Sequence, residues 1–178
     1  MNILYPKLHV KNIKEITKEV LDKNDIKGLI LDVDNTLIYY NKELLDGVDK
    51  WCEELKIQGI SFCILSNSGK KEKLEKVSNA MKVPYLRYAK KPLKKGFLKA
   101  KDVLKLDNKN IGVVGDQIFT DVIGANRVGM FPILVEPIDK KDIWITKIKR
   151  PMEKLVLRIW GQSPNTHKWV FGDRPQIL

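Results

Sequence analysis

Two aspartates separated by a single residue follow an apolar run in the first third of the chain. The apolar residues 28–31 lead directly into Asp32, Val33 and Asp34, and Thr36 comes two residues later. If the run is a buried strand, both carboxylates lie at its carboxyl end, and the alternation of side chains sends them towards the same face. Two like charges there call for a cation, so the spacing indicates metal-dependent chemistry.

The same residues allow two other interpretations. Asp32, Asp34, Thr36 and Glu43 have the spacing of positions 1, 3, 5 and 12 in an EF-hand calcium loop. That loop needs glycine at its sixth position, where this chain has Leu37, and it should follow a helix rather than a strand. The second alternative is a strand-end turn whose acids are simply solvated, and the two aspartates alone leave it open.

Three later apolar segments are also followed by polar or charged side chains. In chain order these are Ser66 after residues 60–65, Lys91 after residues 84–89, and Asp116 with Asp121 after residues 111–114. The carboxyl ends of parallel strands meet at one edge of a sheet, so we expect all four groups to converge. Carboxylates there could hold Mg²⁺, and the lysine and hydroxyl could hold phosphate.

The elements that must position these residues alternate between strand and helix. Val48, Trp51, Cys52 and Leu55 have the spacing of one helix face. The predicted strands cover residues 27–31, 60–65, 84–89, 111–114 and 129–135. The predicted helices cover residues 17–23, 48–56 and 93–106. Two further helices are predicted, a lysine-rich one that ends at about residue 81 and one that ends at about residue 127. This alternation predicts an α/β domain, a Rossmann-like three-layer fold with a central parallel sheet.

The length of 178 residues suits one domain with terminal additions. We divide the chain into an N-terminal extension with a short helix (1–26), a core (27–138) and a basic C-terminal helical segment and tail packed on the core (139–178). Pro151 can end one helix and begin another, with the apolar residues of 151–160 on one side, and the glycine and prolines from Gly161 onward favour a loose tail.

Charge and cysteine content restrict the possible functions. The net charge of +11 favours an anionic partner. Cys52 and Cys63 lie in apolar contexts typical of core thiols, and His9 and His167 are far apart in sequence, which argues against zinc and against a histidine-based triad. The chain has neither an apolar run of about 20 residues nor an apolar signal block, so we expect a cytoplasmic protein without a transmembrane segment.

The four polar groups resemble the motifs of the haloacid dehalogenase (HAD) superfamily of phosphatases. The first motif is Asp32-Val33-Asp34-Asn35-Thr36-Leu37, the second is Ser66, the third is Lys91 before Pro92, and the fourth is Gly115-Asp116 with Asp121. The resemblance implies a HAD fold and phosphoester hydrolysis in two displacements. It also implies that Asp32 is the nucleophile that forms a phosphoaspartate, and that Asp34 is the general acid and base.

The resemblance extends to the remaining site residues. It implies that Asp32, Asp116 and the main-chain carbonyl of Asp34 bind Mg²⁺, with Asp121 in a supporting position behind these ligands. Lys91 would neutralise the phosphate, and Lys90 is the alternative at this position. Ser66 and the main-chain amide of Asn67 would also hold the phosphate. Thr36, which belongs to the same phosphate-binding group, would brace the loop that carries the nucleophile.

The intervals between the motifs leave the site uncovered. Residues 32–66 and 66–91 are each filled by a predicted helix and strand, and larger HAD relatives insert a cap domain at these places. We therefore expect a capless protein. An uncapped site could reach a phosphate group on something large, such as a membrane, a protein or a nucleic acid.

The sequence around the motifs resembles the bacterial YqeG-type subfamily, class IIIA, which is similar to the phosphatidylglycerophosphate phosphatases of mitochondria and chloroplasts. This resemblance rests on Ile26-Lys27-Gly28 and on the long fourth motif, residues 115–129. It implies conversion of phosphatidylglycerophosphate to phosphatidylglycerol, and it makes a homo-oligomer plausible. The alternatives are a phosphatase of soluble or protein phosphoesters and a basic module that binds RNA or the ribosome, although the intact acidic set argues against the latter.

Basic segments are compatible with peripheral contact to an anionic membrane at its inner face. Residues 87–105 carry eight basic side chains against Asp102, and Trp144 and Trp160 are flanked by lysine and arginine. Such cations contribute about 1 kcal/mol each near an anionic bilayer. The alternatives are a solvated helix face for the lysines and a C-terminal segment that only covers the core.

Overall fold

A parallel six-stranded sheet forms the centre of the computed structural model, which describes residues 3–41 and 43–139 together with Val156 and Arg158. The strands are β1 (Leu8–Val10), β2 (Gly28–Leu31), β3 (Ser61–Leu65), β4 (Tyr85–Leu86), β5 (Ile111–Gly115) and β6 (Phe131–Val135). Their order across the sheet is β1-β6-β5-β2-β3-β4, and every neighbouring pair is parallel. The α/β, Rossmann-like fold expected from the sequence is confirmed.

Helices cover both faces of this sheet. They are α1 (Lys18–Lys23), α2 (Val48–Ile57), α3 (Lys71–Met81), α4 (Lys94–Leu104) and α5 (Ile123–Val128). A π-helical turn, Ile118–Val122, leads into α5, and single 3₁₀ turns lie at Ile13–Glu15 and Asn108–Asn110. Between β2 and β3 the described chain forms a loop and α2, and between β3 and β4 it forms a loop and α3, which agrees with the expected capless architecture.

The side chains of β2 alternate between the two faces of the sheet. Leu29 and Leu31 belong to the same apolar cluster as the buried side chains of α2 and α3, whereas Ile30 packs with those of α4 and α5. This alternation is the two-residue period of a strand that is covered on both sides. Strand β2 is therefore central, and the residues that follow it lie at the middle of the sheet's carboxyl edge.

Strand β6 begins at Phe131 rather than at residue 129, because Gly129 ends α5 with a φ of 73°. Two other strands differ more from the sequence-based expectation. Strand β1 was not predicted, and it pairs with β6 at one edge of the sheet through Leu8 and Ile133. Strand β4 is shorter than the predicted 84–89, because Tyr88 and Lys90 have φ values of 52°. An extended strand requires negative φ, so the chain must leave the sheet before Tyr88.

The core contains both cysteines, as the sequence predicted. Cys52 lies on the buried face of α2 and Cys63 lies in β3, and both are free thiols. Burial raises the pKa of Cys52 to about 11 and that of Cys63 to about 12, so both stay protonated at neutral pH. These thiols contribute packing rather than chemistry.

The expectations for the C-terminal segment fall almost entirely outside the described residues, including those for Trp144 and Trp160. Val156 is partly buried against Ile118, Val122 and Leu134, and Arg158 is exposed. Among the described residues, no helix combines the length and the apolar character that crossing a bilayer requires.

Candidate active site

The loop after β2 turns sharply at the centre of the carboxyl edge. The amides of Leu37 and Ile38 both donate to the carbonyl of Val33, at 2.9 and 3.2 Å. Asn35 has φ of +60°, in the left-handed region that asparagine tolerates better than most residues. These contacts fold the loop back on itself and fix the backbone that carries Asp32 and Asp34.

Residues after β6 hold the outer side of this loop. The amide of Ile138 donates to the carbonyl of Asn35 at 3.1 Å, and the amide of Asp139 donates to its side-chain oxygen at 3.3 Å. In return, the Asp139 carboxylate accepts from the amide of Tyr40 at 2.8 Å. The loop is thus hydrogen-bonded to a segment about 100 residues away in sequence.

Lys91 lies between two buried carboxylates. Its Nζ is 2.5 Å from Asp32 Oδ1 and 2.6 Å from Asp121 Oδ1, and the three side chains are 3%, 10% and 2% exposed, respectively. Lys90, the alternative lysine, is exposed. The structure therefore brings Lys91 to the predicted nucleophile.

Burial and charge oppose each other in this group. Burial alone would lower the pKa of Lys91, but Asp121 and Asp32 together raise it above its ordinary value, so Lys91 is a cation at neutral pH. Burial raises the pKa of Asp32 to about 6, because it outweighs the opposing attraction of Lys91. A phosphate that approaches this group meets a fixed positive charge.

Three carboxylates form a candidate metal site beside Lys91. Oxygens of Asp32, Asp116 and Asp121, all buried, lie within 4.8 Å of one another. Mg²⁺ prefers oxygen ligands and needs only one or two protein carboxylates, so this donor set fits it. The EF-hand alternative is not supported, because the strand β2 precedes the loop and Glu43 accepts a hydrogen bond from Asn41 instead.

Asp121 is positioned by the π-helical turn and by a glycine. Its Oδ2 accepts from the Thr120 hydroxyl at 3.1 Å and from the Gln117 amide at 3.4 Å, while its Oδ1 contacts Lys91. A Cβ on Gly115 would lie only 2.3 Å from Cγ of Asp121. Glycine at the end of β5 is therefore what allows this carboxylate to approach.

Ser66 and Asn67 lie at the end of β3, next to the loop that carries Lys91. Ser66 is buried, and its Oγ accepts from the amide of Ser68 at 3.1 Å. The Asn67 side chain accepts from the Lys91 amide at 2.6 Å and donates to the Lys91 carbonyl at 3.3 Å, and the Lys91–Pro92 peptide is cis. The prediction for Asn67 concerned its main-chain amide and phosphate, and it did not include this side-chain contact.

Asp34 and Thr36 have contrasting environments. Thr36 is buried and its amide donates to the Val33 carbonyl at 3.3 Å, so it is held within the loop. The Asp34 side chain is 56% exposed, and its two oxygens are 2.7 and 2.8 Å from Nζ of Lys73 on α3. Lys73 was not predicted, because it is one of three lysines in its helix and belongs to none of the four motifs.

A family model supplies the decisive comparison. The model described as "Mitochondrial PGP phosphatase" matches residues 1–139, which include every predicted site residue. The chain belongs to this family. The "Probable phosphatase YqeG" of Bacillus subtilis (strain 168) is 37% identical over 153 residues, which cover 85% of this chain and 88% of that protein.

Two further comparisons concern a second curated relative and the fold. The "Phosphatidylglycerophosphate phosphatase 1, chloroplastic/mitochondrial" of Arabidopsis thaliana is 28% identical over 178 residues, which cover 93% of this chain and 51% of that protein. A Streptomyces avermitilis MA-4680 structure assigned to the HAD family of hydrolases has a TM-score of 0.50 at 15% identity, covering 62% of this chain and 67% of that chain. The protein is therefore a member of a phosphatase family, and it shares its fold with this hydrolase structure.

Proposed function

We propose that the protein removes the terminal phosphate of phosphatidylglycerophosphate in a Mg²⁺-dependent reaction, with Asp32 as nucleophile. The observation that carries the proposal is the buried group in which Lys91 contacts Asp32 while Asp116 and Asp121 lie within 4.8 Å. This group combines a nucleophile, a fixed cation and a candidate metal site. A Mg²⁺-dependent transfer through a phosphoaspartate uses all three, because charge on the phosphate oxygens must be neutralised during attack.

The reaction has two displacements. In the first, an Asp32 carboxylate oxygen attacks phosphorus, the bond to the leaving oxygen breaks, and Asp34 donates a proton to that oxygen. In the second, a water molecule attacks the phosphoaspartate while Asp34 takes a proton from it. The bond between phosphorus and Asp32 then breaks, which releases phosphate and restores both aspartates.

The other residues hold and neutralise the phosphoryl group. Lys91 supplies positive charge beside Asp32, while Ser66 and the Asn67 amide donate to phosphoryl oxygens, and Thr36 supports the loop. Asp32, Asp116 and the main-chain carbonyl of Asp34 would hold Mg²⁺, which when bound supplies further positive charge to the phosphate oxygens. Asp121 holds Lys91 in place.

Three observations support a lipid substrate. The family model and the Arabidopsis thaliana relative both carry a PGP phosphatase name. Between consecutive motif-bearing strands the described chain adds loops, one α-helix and, before β5, a single 3₁₀ turn, so a headgroup on a bilayer can reach the site. The segment around Lys91 also exposes basic side chains together with Tyr88 and Leu93, a composition suited to an anionic membrane surface.

The test is a comparison of substrates. We expect phosphatidylglycerophosphate in mixed micelles to be hydrolysed with a higher kcat/KM than sugar phosphates, nucleotides or phosphopeptides, and we expect EDTA to abolish the activity. Asp32→Asn serves as the inactive control. Preference for a soluble ester would overturn the lipid substrate, full activity in Asp32→Asn would overturn the nucleophile, and inactivity on every ester would favour a binding module.

A further inference from the structure

Within the described residues, the Asp34 carboxylate accepts hydrogen bonds from the side chain of Lys73. Its Nζ lies 2.7 Å from Oδ1 and 2.8 Å from Oδ2, although 39 residues separate the two positions. The lysine side chain is only 11% exposed, whereas that of Asp34 is 56% exposed. A mostly buried cation thus reaches outward to a carboxylate that faces solvent.

This contact differs from an ordinary ion pair on the same helix. Lys71 and Glu75 of α3 are 3.5 Å apart and their side chains are 62% and 41% exposed, so that pair is solvated and loosely defined. Exposed pairs of that kind add little to stability. Lys73 instead contacts both oxygens of Asp34 at short distance, which fixes the direction in which the carboxylate points.

The backbone of Asp34 is also fixed. Asp34 forms an isolated bridge with Ile38, and Asn35 follows it in the left-handed conformation. The remaining freedom is the rotation of the side chain, and Lys73 restricts it. Proton transfer requires the carboxylate to stay within hydrogen-bond reach of the leaving oxygen, so a restriction at this point affects the chemical step.

We infer that Lys73 is a positioning residue that orients Asp34 for proton transfer to the leaving oxygen. The inference rests on the proposed function, since it needs Asp34 to be the general acid. Lys73 itself does not touch phosphorus or exchange protons in the reaction. Its effect should therefore depend on how much the leaving oxygen needs a proton.

The test is a series of phosphate monoesters whose leaving groups range from p-nitrophenol to simple alcohols, measured as kcat/KM. A nitrophenolate leaves without protonation, whereas an alcohol does not. We expect Lys73→Met to lower kcat/KM for the alkyl esters by about tenfold or more, which is a fraction of the full contribution of a general acid. The same variant should change kcat/KM little for p-nitrophenyl phosphate. Lys73→Arg should restore most of the lost activity, because arginine can also contact both oxygens.

Two controls separate this effect from charge and folding. Lys76→Met removes the same charge from an exposed position of α3 and should leave every ester unaffected. In an Asp34→Asn background, Lys73→Met should cause no further loss that depends on the leaving group. Thermal melting of each variant checks the fold.

Two results would overturn the inference. One is an equal loss on all esters in Lys73→Met, which would indicate that Lys73 binds the substrate or supports the fold. The other is unchanged activity. If the unmodified protein hydrolyses no ester, the proposed function fails and the inference fails with it, whereas an active protein with a uniform Lys73→Met loss refutes the inference alone.

Discussion

Two lysines contact predicted catalytic aspartates, and their surroundings differ. Lys91 is buried and shared between Asp32 and Asp121, whereas Lys73, whose side chain is 11% exposed, contacts the solvent-facing carboxylate of Asp34. The buried contact has little access to water, since the Lys91 and Asp32 side chains are 3% and 10% exposed. The Asp34 carboxylate is 56% exposed, which suits a group that must release and accept a proton. The predicted nucleophile is thus held inside the protein, and the predicted proton-transfer group is oriented where solvent can reach it.

Replacing the two lysines should separate these roles most clearly. Lys91→Met leaves buried carboxylates without their cation, so we expect the free energy of unfolding to fall by about 3–5 kcal/mol. Loss of this charge should also lower kcat by at least about 10²–10³-fold. Lys73→Met should change stability by only about 1 kcal/mol, because it leaves the Asp34 carboxylate in contact with solvent. Urea unfolding in metal-free buffer measures both, and equal destabilisation by the two variants would contradict the distinction.

Asp32→Asn should have opposite effects on activity and stability. Burial raises the folded-state pKa of Asp32 to about 6, above its unfolded value. Its contribution to stability is therefore fully present below the unfolded pKa and is lost as the pH rises through about 6. Asparagine avoids this loss, so we expect an inactive protein that is more stable by about 1–3 kcal/mol at pH 7.5.

Unfolding in metal-free buffer at two pH values checks this expectation. The stability difference between Asp32→Asn and the unmodified protein should be smaller at pH values of about 5 than at about 7.5, because Asp32 is then mostly protonated in the folded state. A variant less stable than the unmodified protein at the higher pH would show that attraction to Lys91 outweighs burial.

Two glycines of β5 offer the finest test of how the buried group is positioned. A Cβ on Gly115 would meet Cγ of Asp121 at 2.3 Å, whereas a Cβ on Gly112 would meet the flexible Cδ2 of Leu29 at 2.7 Å. We expect either alanine to cost about 1–3 kcal/mol of stability through overpacking. Only Gly115→Ala should also lower kcat, by up to about 10²-fold, because it displaces the partner of Lys91.

Unfolding and kinetics on the same preparations distinguish the two variants. If Gly112→Ala lowers kcat as much as Gly115→Ala does, the effect comes from the sheet as a whole. In that case the position of Asp121 is less important than the geometry of the buried group indicates.

The sequence predicted those parts of the fold that depend on local pattern. The central strands are apolar throughout, and residues such as Val48 and Trp51 mark helix faces by their spacing. Strand β1 escaped prediction because three residues, Leu8, His9 and Val10, are too few to establish a period. Its pairing depends on β6, which lies about 120 residues later.

The site was predictable where a residue of suitable chemistry closely follows a predicted strand. The placement of Asp32, Lys91 and Asp116 at one edge follows from their positions after parallel strands, although their roles remain predictions. The contacts of Lys73 and of the Asn67 side chain depend on helix placement and loop geometry. No spacing along the chain encodes such contacts, so only the three-dimensional structure could identify them.

The hydrogen bonds between the loop after β2 and residues 138–139 limit how far the protein can fold while it is still being synthesised. Asn35 leaves the ribosome long before Asp139, and strand β1 likewise waits for β6. Until residues 131–139 have emerged, the sheet lacks an edge pairing and the loop that carries both motif-one aspartates lacks its outer support. A nascent chain therefore cannot assemble a complete phosphatase site before the last strand of the core has been made.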